Sequence, residues 1–419
     1  MPARSSSSDV QVFVRHADGH SVGDALSSGR LGPISDRLGG WMISATLRIS
    51  GRSAWLLIAV GLAVCWGTTL LLGGEAHVPP HLFYIPIVFA GVRFGLGGSL
   101  LTAITSGVIA GPLTPADVAL HTAQPFSSWG TRAVFFILIG QALTAIATIT
   151  TSTMAAELGD LRGAKALWSA LDQDRFEVYF QPIVSLATGN SVVGAEALVR
   201  LNDRDRGVVC PDDFIPLAER TGMIRGIGVY VLRSACAHTV GWQQRALVGP
   251  DFMLSVNVSA RELDAPMYAA RVGEVLDETG LDPACLQLEV TETALADDPR
   301  VFLDTLHDLR RLGVRIAIDD FGIGQSTLAQ VQRVPADVIK IDKSFVATLG
   351  DGANGSAIAA NVLSLAVSLG LVPVAEGVET DEQAAILTKL GCDLAQGYLF
   401  SRPIPSARFE LVLGPPPFG

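Results

Sequence analysis

An α/β fold, a TIM-like (β/α)8 barrel preceded by an all-α transmembrane region, is the class this sequence predicts, and three observations predict it. Residues 54–153 are strongly apolar and nearly free of charge, whereas residues 165–412 have ordinary globular composition with an acidic surplus. The second part repeats one event: an apolar, β-prone run ends in a polar or charged residue, and a stretch with helical spacing follows. Its length suits a single barrel, which takes roughly 250 residues and carries its chemistry at the carboxyl ends of the strands.

Taken in order, residues 1–45 are rich in Ser, Gly, Asp and Arg and lack periodicity, which predicts a disordered tail. Residues 54–73 carry no charge and are long enough to cross a bilayer. Arg48 and Arg52 precede them and predict a cytoplasmic N-terminus. Residues 81–109 form a second apolar block, too long for one span, that reads as two short helices with a tight turn near Arg93. Pro112, Pro115 and Pro125 mark a loop, and residues 133–153 are a further span. The expectation is a transmembrane region over residues 46–153 with about four helices. Such a protein would be a multi-pass membrane component, with both termini cytoplasmic. Residues 154–171 predict a linking helix that continues the last span into the barrel, assigned to residues 165–412.

The barrel opens with strands over residues 176–186 and 191–200. A Pro-Asp-Asp helix start follows at Pro211, and helical spacing resumes over residues 227–244. The remaining strand ends fall at Asn257, Glu289, Asp319 with Asp320, Lys340, Glu376 and Gln396. Arg310 and Arg311 precede one of these strands and read as a solvated helix end, where cations complement the helix dipole.

Composition excludes some classes. The net charge is −11, so binding to a nucleic acid polymer, which needs a basic face, is not expected. The five cysteines stand singly without ligand spacing, which predicts neither zinc nor a disulfide framework.

The strand-end residues point to metal chemistry. Glu196, Glu289, Asp319, Asp320 and Glu376 at one mouth would repel one another and push their pKa values up. Hard divalent cations relieve this, because Mg²⁺ and Mn²⁺ take carboxylate, amide and water oxygens. Adjacent aspartates let one carboxylate bridge two ions while its neighbour binds one. A pair about 3.5–4 Å apart suits phosphodiester hydrolysis. A lysine among the acids can hold or deprotonate the attacking water.

These residues sit within motifs that resemble the EAL domain of bacterial cyclic di-GMP phosphodiesterases. The motifs are Gln181-Pro182-Ile183-Val184, Glu196-Ala197-Leu198-Val199-Arg200, Asn257-Val258-Ser259, Glu289-Val290-Thr291-Glu292, Asp319-Asp320-Phe321-Gly322, Lys340-Ile341-Asp342, Glu376-Gly377-Val378-Glu379 and Gln396-Gly397-Tyr398-Leu399-Phe400. The resemblance implies Glu196, Asn257, Glu289 and Asp319 as ligands of one metal, and Asp319, Asp320 and Glu376 as ligands of a second. It implies Lys340 as the residue that orients or activates water, with Glu196, Glu376 and Glu379 in the catalytic set. Gln181, Leu198, Arg200 and Gln396 match positions at the dinucleotide, Arg200 through a phosphate. Glu292 matches a glutamate that steadies the loop after the aspartate pair. The implied activity is metal-dependent hydrolysis of cyclic di-GMP to linear pGpG with two Mg²⁺ or Mn²⁺ per site, in a homodimer formed through the barrel. The alternative is a catalytically silent receptor for the same ligand. In the loop, Ile323 replaces a hydroxyl of the family pattern and Gln325 an aromatic, yet every predicted metal ligand is kept, so activity is expected. No GGDEF-like stretch accompanies these motifs.

Overall fold

A computed structural model describes residues 50–74, 80–291, 299–322, 328–349 and 353–414. The tail expected over residues 1–45, Glu292, Ile323 and Gln325 lie outside these. The chain divides between Gly159 and Asp160 into two units, each described by itself.

The first unit is helical: α1 (Gly51–Leu71), α2 (Tyr84–Ala110) and α3 (Phe126–Asp172), the last continuing beyond it. Among the described residues, three helices are long and apolar enough to cross a membrane. The second is not straight. Gly95 has φ +71° and ψ −164° and interrupts it. Such backbone suits glycine, which lacks a Cβ. Ile87 and Ser99, on opposite sides of that break, both face Gly140 of α3. A straight helix would hold them about 18 Å apart. Residues 84–94 and 96–110 are therefore the two arms of a hairpin, with its turn two residues from Arg93, in agreement with the two short helices expected there. The hairpin tip lies level with the start of α1, where Trp55 stacks on Phe94 at 4.6 Å. Arg52 and Arg93 thus lie at one end of the bundle. Small residues let the helices approach: side chains at Gly91, Gly107 and Gly140 would overlap Thr144, Ala133 and Ile87. Phe83, Ile87, Ala90, Ala103 and Phe136 are buried inside, while Leu56, Val60, Val64, Leu138 and Ile146 face outward.

The second unit is a closed barrel. Its ten strands among the described residues are β1 (Phe176–Ser185), β2 (Ser191–Asp203), β3 (Gly207–Val209), β4 (Met253–Val258), β5 (Leu286–Thr291), β6 (Arg315–Phe321), β7 (Val338–Ile341), β8 (Val372–Ala375), β9 (Leu394–Ala395) and β10 (Ile404–Pro405). Eight of them close the ring in the order β1-β2-β4-β5-β6-β7-β8-β9, and β3 and β10 add short edges. The neighbours from β2 to β9 pair in parallel, as the alternation of strand and helix predicts.

One strand departs from the all-parallel expectation. β1 runs antiparallel to both β2 and β9. Only residues 186–190 join β1 to β2, too few for a crossover helix. Gly189 and Asn190, at φ +73° and +65°, make the reversal. The hairpin then pairs Gln181 directly with Glu196.

The barrel interior is layered. Ile183, Met253, Ala317, Val338 and Val374 form an apolar plug. Strand alternation puts the residue two positions nearer the mouth on each of these strands on the same inner face, in the layer above. Outside, Trp242 of the helix Ile224–Gln244 is fully buried and packs on Phe180, Phe252 and Phe409. Arg310 and Arg311 end the helix Pro299–Arg311, as expected, with Arg310 paired to Asp337 at 2.8 Å and Arg311 to Asp308. The cysteines are free, and among the described residues only Cys210 is exposed.

Candidate active site

Above the plug, the inward-facing side chains change from apolar to polar. Glu196, Asn257, Glu289, Asp319, Lys340, Glu376 and Gln396 come from seven strands or strand ends, and Gln181 comes from the reversed β1. They line or lie beneath a cavity of about 790 Å³ at the carboxyl ends of the strands. That volume is within the usual range for a small-molecule site.

Asp319 and Asp320 are neighbours and would face opposite sides of a regular strand. They do not here, because β6 bulges. Ile318 pairs with Ile339 and Phe321 with Ile341, so two aspartates oppose the single Lys340. Asp320 takes φ +55°, the left-handed region a side chain rarely adopts. Its N–H donates to Asp319 Oδ1 at 3.0 Å. The distortion brings one carboxylate oxygen from each of Asp319, Asp320 and Glu376 within 4.8 Å of one another.

Lys340 stands at the centre. Its Nζ lies 2.6 Å from Glu376 Oε1, 2.7 Å from Glu289 Oε2, 3.3 Å from Asp319 Oδ1 and 3.6 Å from Glu196 Oε2. The side chain is 2% exposed. Burial works to lower the lysine pKa, but the four acids outweigh it and hold the ammonium charged, well above its ordinary range. Burial likewise pushes Glu196 up, and here Lys340 and hydrogen bonds from Gln396 and Asn257 win and hold it low. For Glu289 burial prevails over Lys340, with Glu196 and Asp319 adding to the rise. Burial takes Glu376 up to about 7. One cation among four carboxylates thus leaves the ring short of positive charge.

Amides hold the remaining oxygens. Asn257 Nδ2 donates to Glu196 Oε1 at 2.6 Å. Gln396 Nε2 donates to Glu196 Oε2 at 2.6 Å and to Gln181 Oε1 at 3.0 Å. Gln181 Nε2 donates to the Ser401 carbonyl at 3.0 Å, tying β1 to the chain beyond β9. Leu198 lines the cavity wall one alternation above Glu196, and Glu379 lines the exposed rim. Arg200 lies higher on β2. Its guanidinium sits 5.5 Å from the Tyr179 ring and donates to the Val199 carbonyl at 2.8 Å.

The donor set fits hard divalent cations. Every group is an oxygen or amide donor, and Glu289 Oε1 is buried without a hydrogen-bond partner. Asp319, Asp320, Glu376, Glu196, Asn257 and Glu289 are the residues able to hold such ions.

Sequence reasoning missed Glu262. It lines the cavity, is 4% exposed, and accepts from the Ser259 N–H at 3.1 Å as the distal half of a capping box. The Ser259-x-x-Glu262 spacing carried that signal. Burial pushes its carboxyl up to about 8. Also missed was the buried pair below the acids, where Gln287 Nε2 donates to Ser255 Oγ at 2.7 Å.

The family model for the EAL domain matches residues 164–403. An uncharacterized signaling protein of Caulobacter vibrioides is 44% identical over 242 residues, which are 58% of this chain and 29% of that protein. The cyclic di-GMP phosphodiesterase NbdA of Pseudomonas aeruginosa is 40% identical over 256 residues, 60% of this chain and 32% of NbdA. Among solved structures, the PaMucR phosphodiesterase in complex with c-di-GMP aligns with a TM-score of 0.56 at 37% identity, covering 59% of this chain and 99% of that one. The chain spans about a third of the length of the curated relatives it matches.

Glu262 gives a pH test. Its folded pKa is raised, so its contribution to stability is present below the ordinary carboxylate range and is lost as pH rises through about 8. Glu262→Gln preserves the capping acceptor and removes the ionisation. Its urea midpoint should match the parent at about pH 4 and exceed it at about pH 9, by about 1–4 kcal/mol in stability. Equal midpoints at both values would contradict the assignment.

Proposed function

The chain belongs to the EAL domain family, and from that premise we propose that it is a membrane-anchored, divalent-metal-dependent phosphodiesterase that hydrolyses cyclic di-GMP to linear pGpG. The observation that carries this reading is the Lys340 ammonium within 2.6–3.6 Å of four carboxylates at the mouth of a closed barrel. The relatives named as cyclic di-GMP phosphodiesterases support the substrate.

In this reading the cyclic dinucleotide lies in the cavity with one phosphodiester over the acid ring. Two Mg²⁺ or Mn²⁺, held by Glu196, Asn257, Glu289, Asp319, Asp320 and Glu376, would neutralise the scissile phosphate and lower the pKa of the attacking water. Lys340, held as the ammonium between carboxylates, directs an N–H toward that water and fixes its orientation, while a neighbouring carboxylate such as Glu376 takes the proton the water loses. One P–O bond forms to water, one P–O bond breaks, and the released sugar oxygen takes up a proton. Gln181 and Gln396, locked to each other, fix the inner wall, and Leu198 packs on a nucleoside face. Arg200 turns from Tyr179 toward the other phosphate, where a planar guanidinium binds two oxygens. Glu379 shapes the rim, and Glu292 steadies the loop after the aspartates. Two chains pair through the barrel.

The membrane reading rests on three long apolar helices with apolar outward faces. Arg52 and Arg93 at one end mark the cytoplasmic side. The hairpin returns the chain to the side it came from, so α3 runs back toward the arginine side and the domain that follows is cytoplasmic in this reading.

Three outcomes test this. Glu196→Ala should lower hydrolysis of cyclic di-GMP by about 100-fold or more, measured as pGpG release, with the far-ultraviolet spectrum unchanged. Undiminished release would remove Glu196 from the metal set. Calcium, larger and looser in geometry, should support no more than about a tenth of the Mg²⁺ rate. Alkaline phosphatase fused after Ala119 should be active in cells and fused after Gly414 inactive. An active fusion after Gly414 would overturn the topology.

A further inference from the structure

We propose that two copies of the chain pair in parallel along the linking helix, forming a short left-handed coiled coil whose seam is Met154, Leu158, Leu161, Lys165 and Trp168. The proposal goes beyond the catalytic reading and does not depend on it.

The C-terminal part of α3 presents two faces. One is used by the barrel. Asp160 accepts from Arg220 at 3.0 Å, Gly163 lies against Leu217, and Leu167, Ala170 and Leu171 join the barrel core. The other is exposed and apolar: Met154 is 38% exposed, Leu158 54%, Leu161 52% and Trp168 40%. At about 100° per residue, the seam occupies an arc centred about 140° from the barrel face. A partner on the seam therefore leaves the barrel contact intact.

The spacing identifies the partner's shape. From Met154 the seam advances by 4, 3, 4 and 3 residues, the repeat of a two-helix seam rather than of a helix lying on a globular surface. Charge complementarity identifies the partner as this same chain in parallel register. Glu157 stands just before Leu158, and Arg162 just after Leu161. In a parallel, unstaggered pair, the position of Glu157 faces the residue five further along the other helix. That residue is the partner's Arg162, and the symmetry gives the ion pair twice. A staggered or antiparallel pair loses both. Lys165 occupies a seam position where one lysine is tolerated in a two-stranded coil and fixes register. A seam this short is marginal by itself, and apolar helices joined directly to it raise the effective concentration of the second copy.

Cysteine cross-linking in intact cells tests the pairing with the full chain. The background is Cys210→Ser, which removes the exposed cysteine among the described residues. Single substitutions Leu158→Cys, Leu161→Cys and Trp168→Cys report the seam, and Ala155→Cys, Gly159→Cys and Ala166→Cys report the flank. Mild oxidation should give covalent dimer at the seam positions at roughly fivefold or more the level of the flank positions. In the Leu161→Cys background, Glu157→Arg or Arg162→Glu alone should reduce the dimer, and the two together should restore it. These exposed changes leave the barrel contacts untouched, and restoration separates a lost pair from a misfolded chain. Equal yield on both sets, no dimer at any position, or no rescue by the charge swap would overturn the proposal. The readout is independent of hydrolysis, so failure of one reading does not obscure the other.

Discussion

Everything at the mouth of the barrel depends on one buried positive charge. An ammonium that is 2% exposed would be costly alone, several kcal/mol after relaxation. Four carboxylates within 3.6 Å remove that cost, and the lysine in turn keeps the carboxylates from driving one another apart. The balance is incomplete by design of the residue set, since one ammonium meets four acids. A ring left in that condition has the donor chemistry suited to a further cation, and it carries an orphan oxygen, Glu289 Oε1, already desolvated. The amides of Asn257 and Gln396 matter because they fix the two Glu196 oxygens without adding charge.

The positions of these groups follow from barrel geometry. An apolar plug fills the inner layer, the Gln287–Ser255 pair lies below the acids, and the acids face the opening. The two-residue period of a strand converts a sequence pattern into depth. Val338 and Lys340, Val374 and Glu376, and Leu394 and Gln396 are each an apolar floor residue followed by a polar mouth residue.

Most of this was legible in the chain, because strand ends announce themselves. A β-prone run that stops at an acid places that acid at the mouth wherever the strand is parallel. The rest needed three dimensions. The reversal of β1 is written in Gly189 and Asn190, yet the motif at Gln181 reads the same in either direction. The bulge at Asp319 and Asp320 depends on how many residues β7 sets against β6, a pairing that neither strand encodes alone. Glu262 was not singled out, because the Ser259-x-x-Glu262 spacing is that of an ordinary helix cap and only burial beside the cavity distinguishes it. Among the helices the turn near Arg93 was visible from its glycines, whereas the way Ile87 and Ser99 converge on Gly140 was not.

The reversed first strand has one more effect. In a barrel that begins with an upward strand, the incoming chain enters at the floor, far from the chemistry. Here Phe176 pairs with Leu201 at the opposite rim, so the preceding helix delivers the chain beside the opening. That helix leans on Leu217 and Arg220 of the segment Ile215–Arg220, whose Ile215 and Glu219 border the cavity. A push or twist arriving along the shaft therefore reaches the pocket wall through a single layer of side chains, without having to cross the rigid sheet.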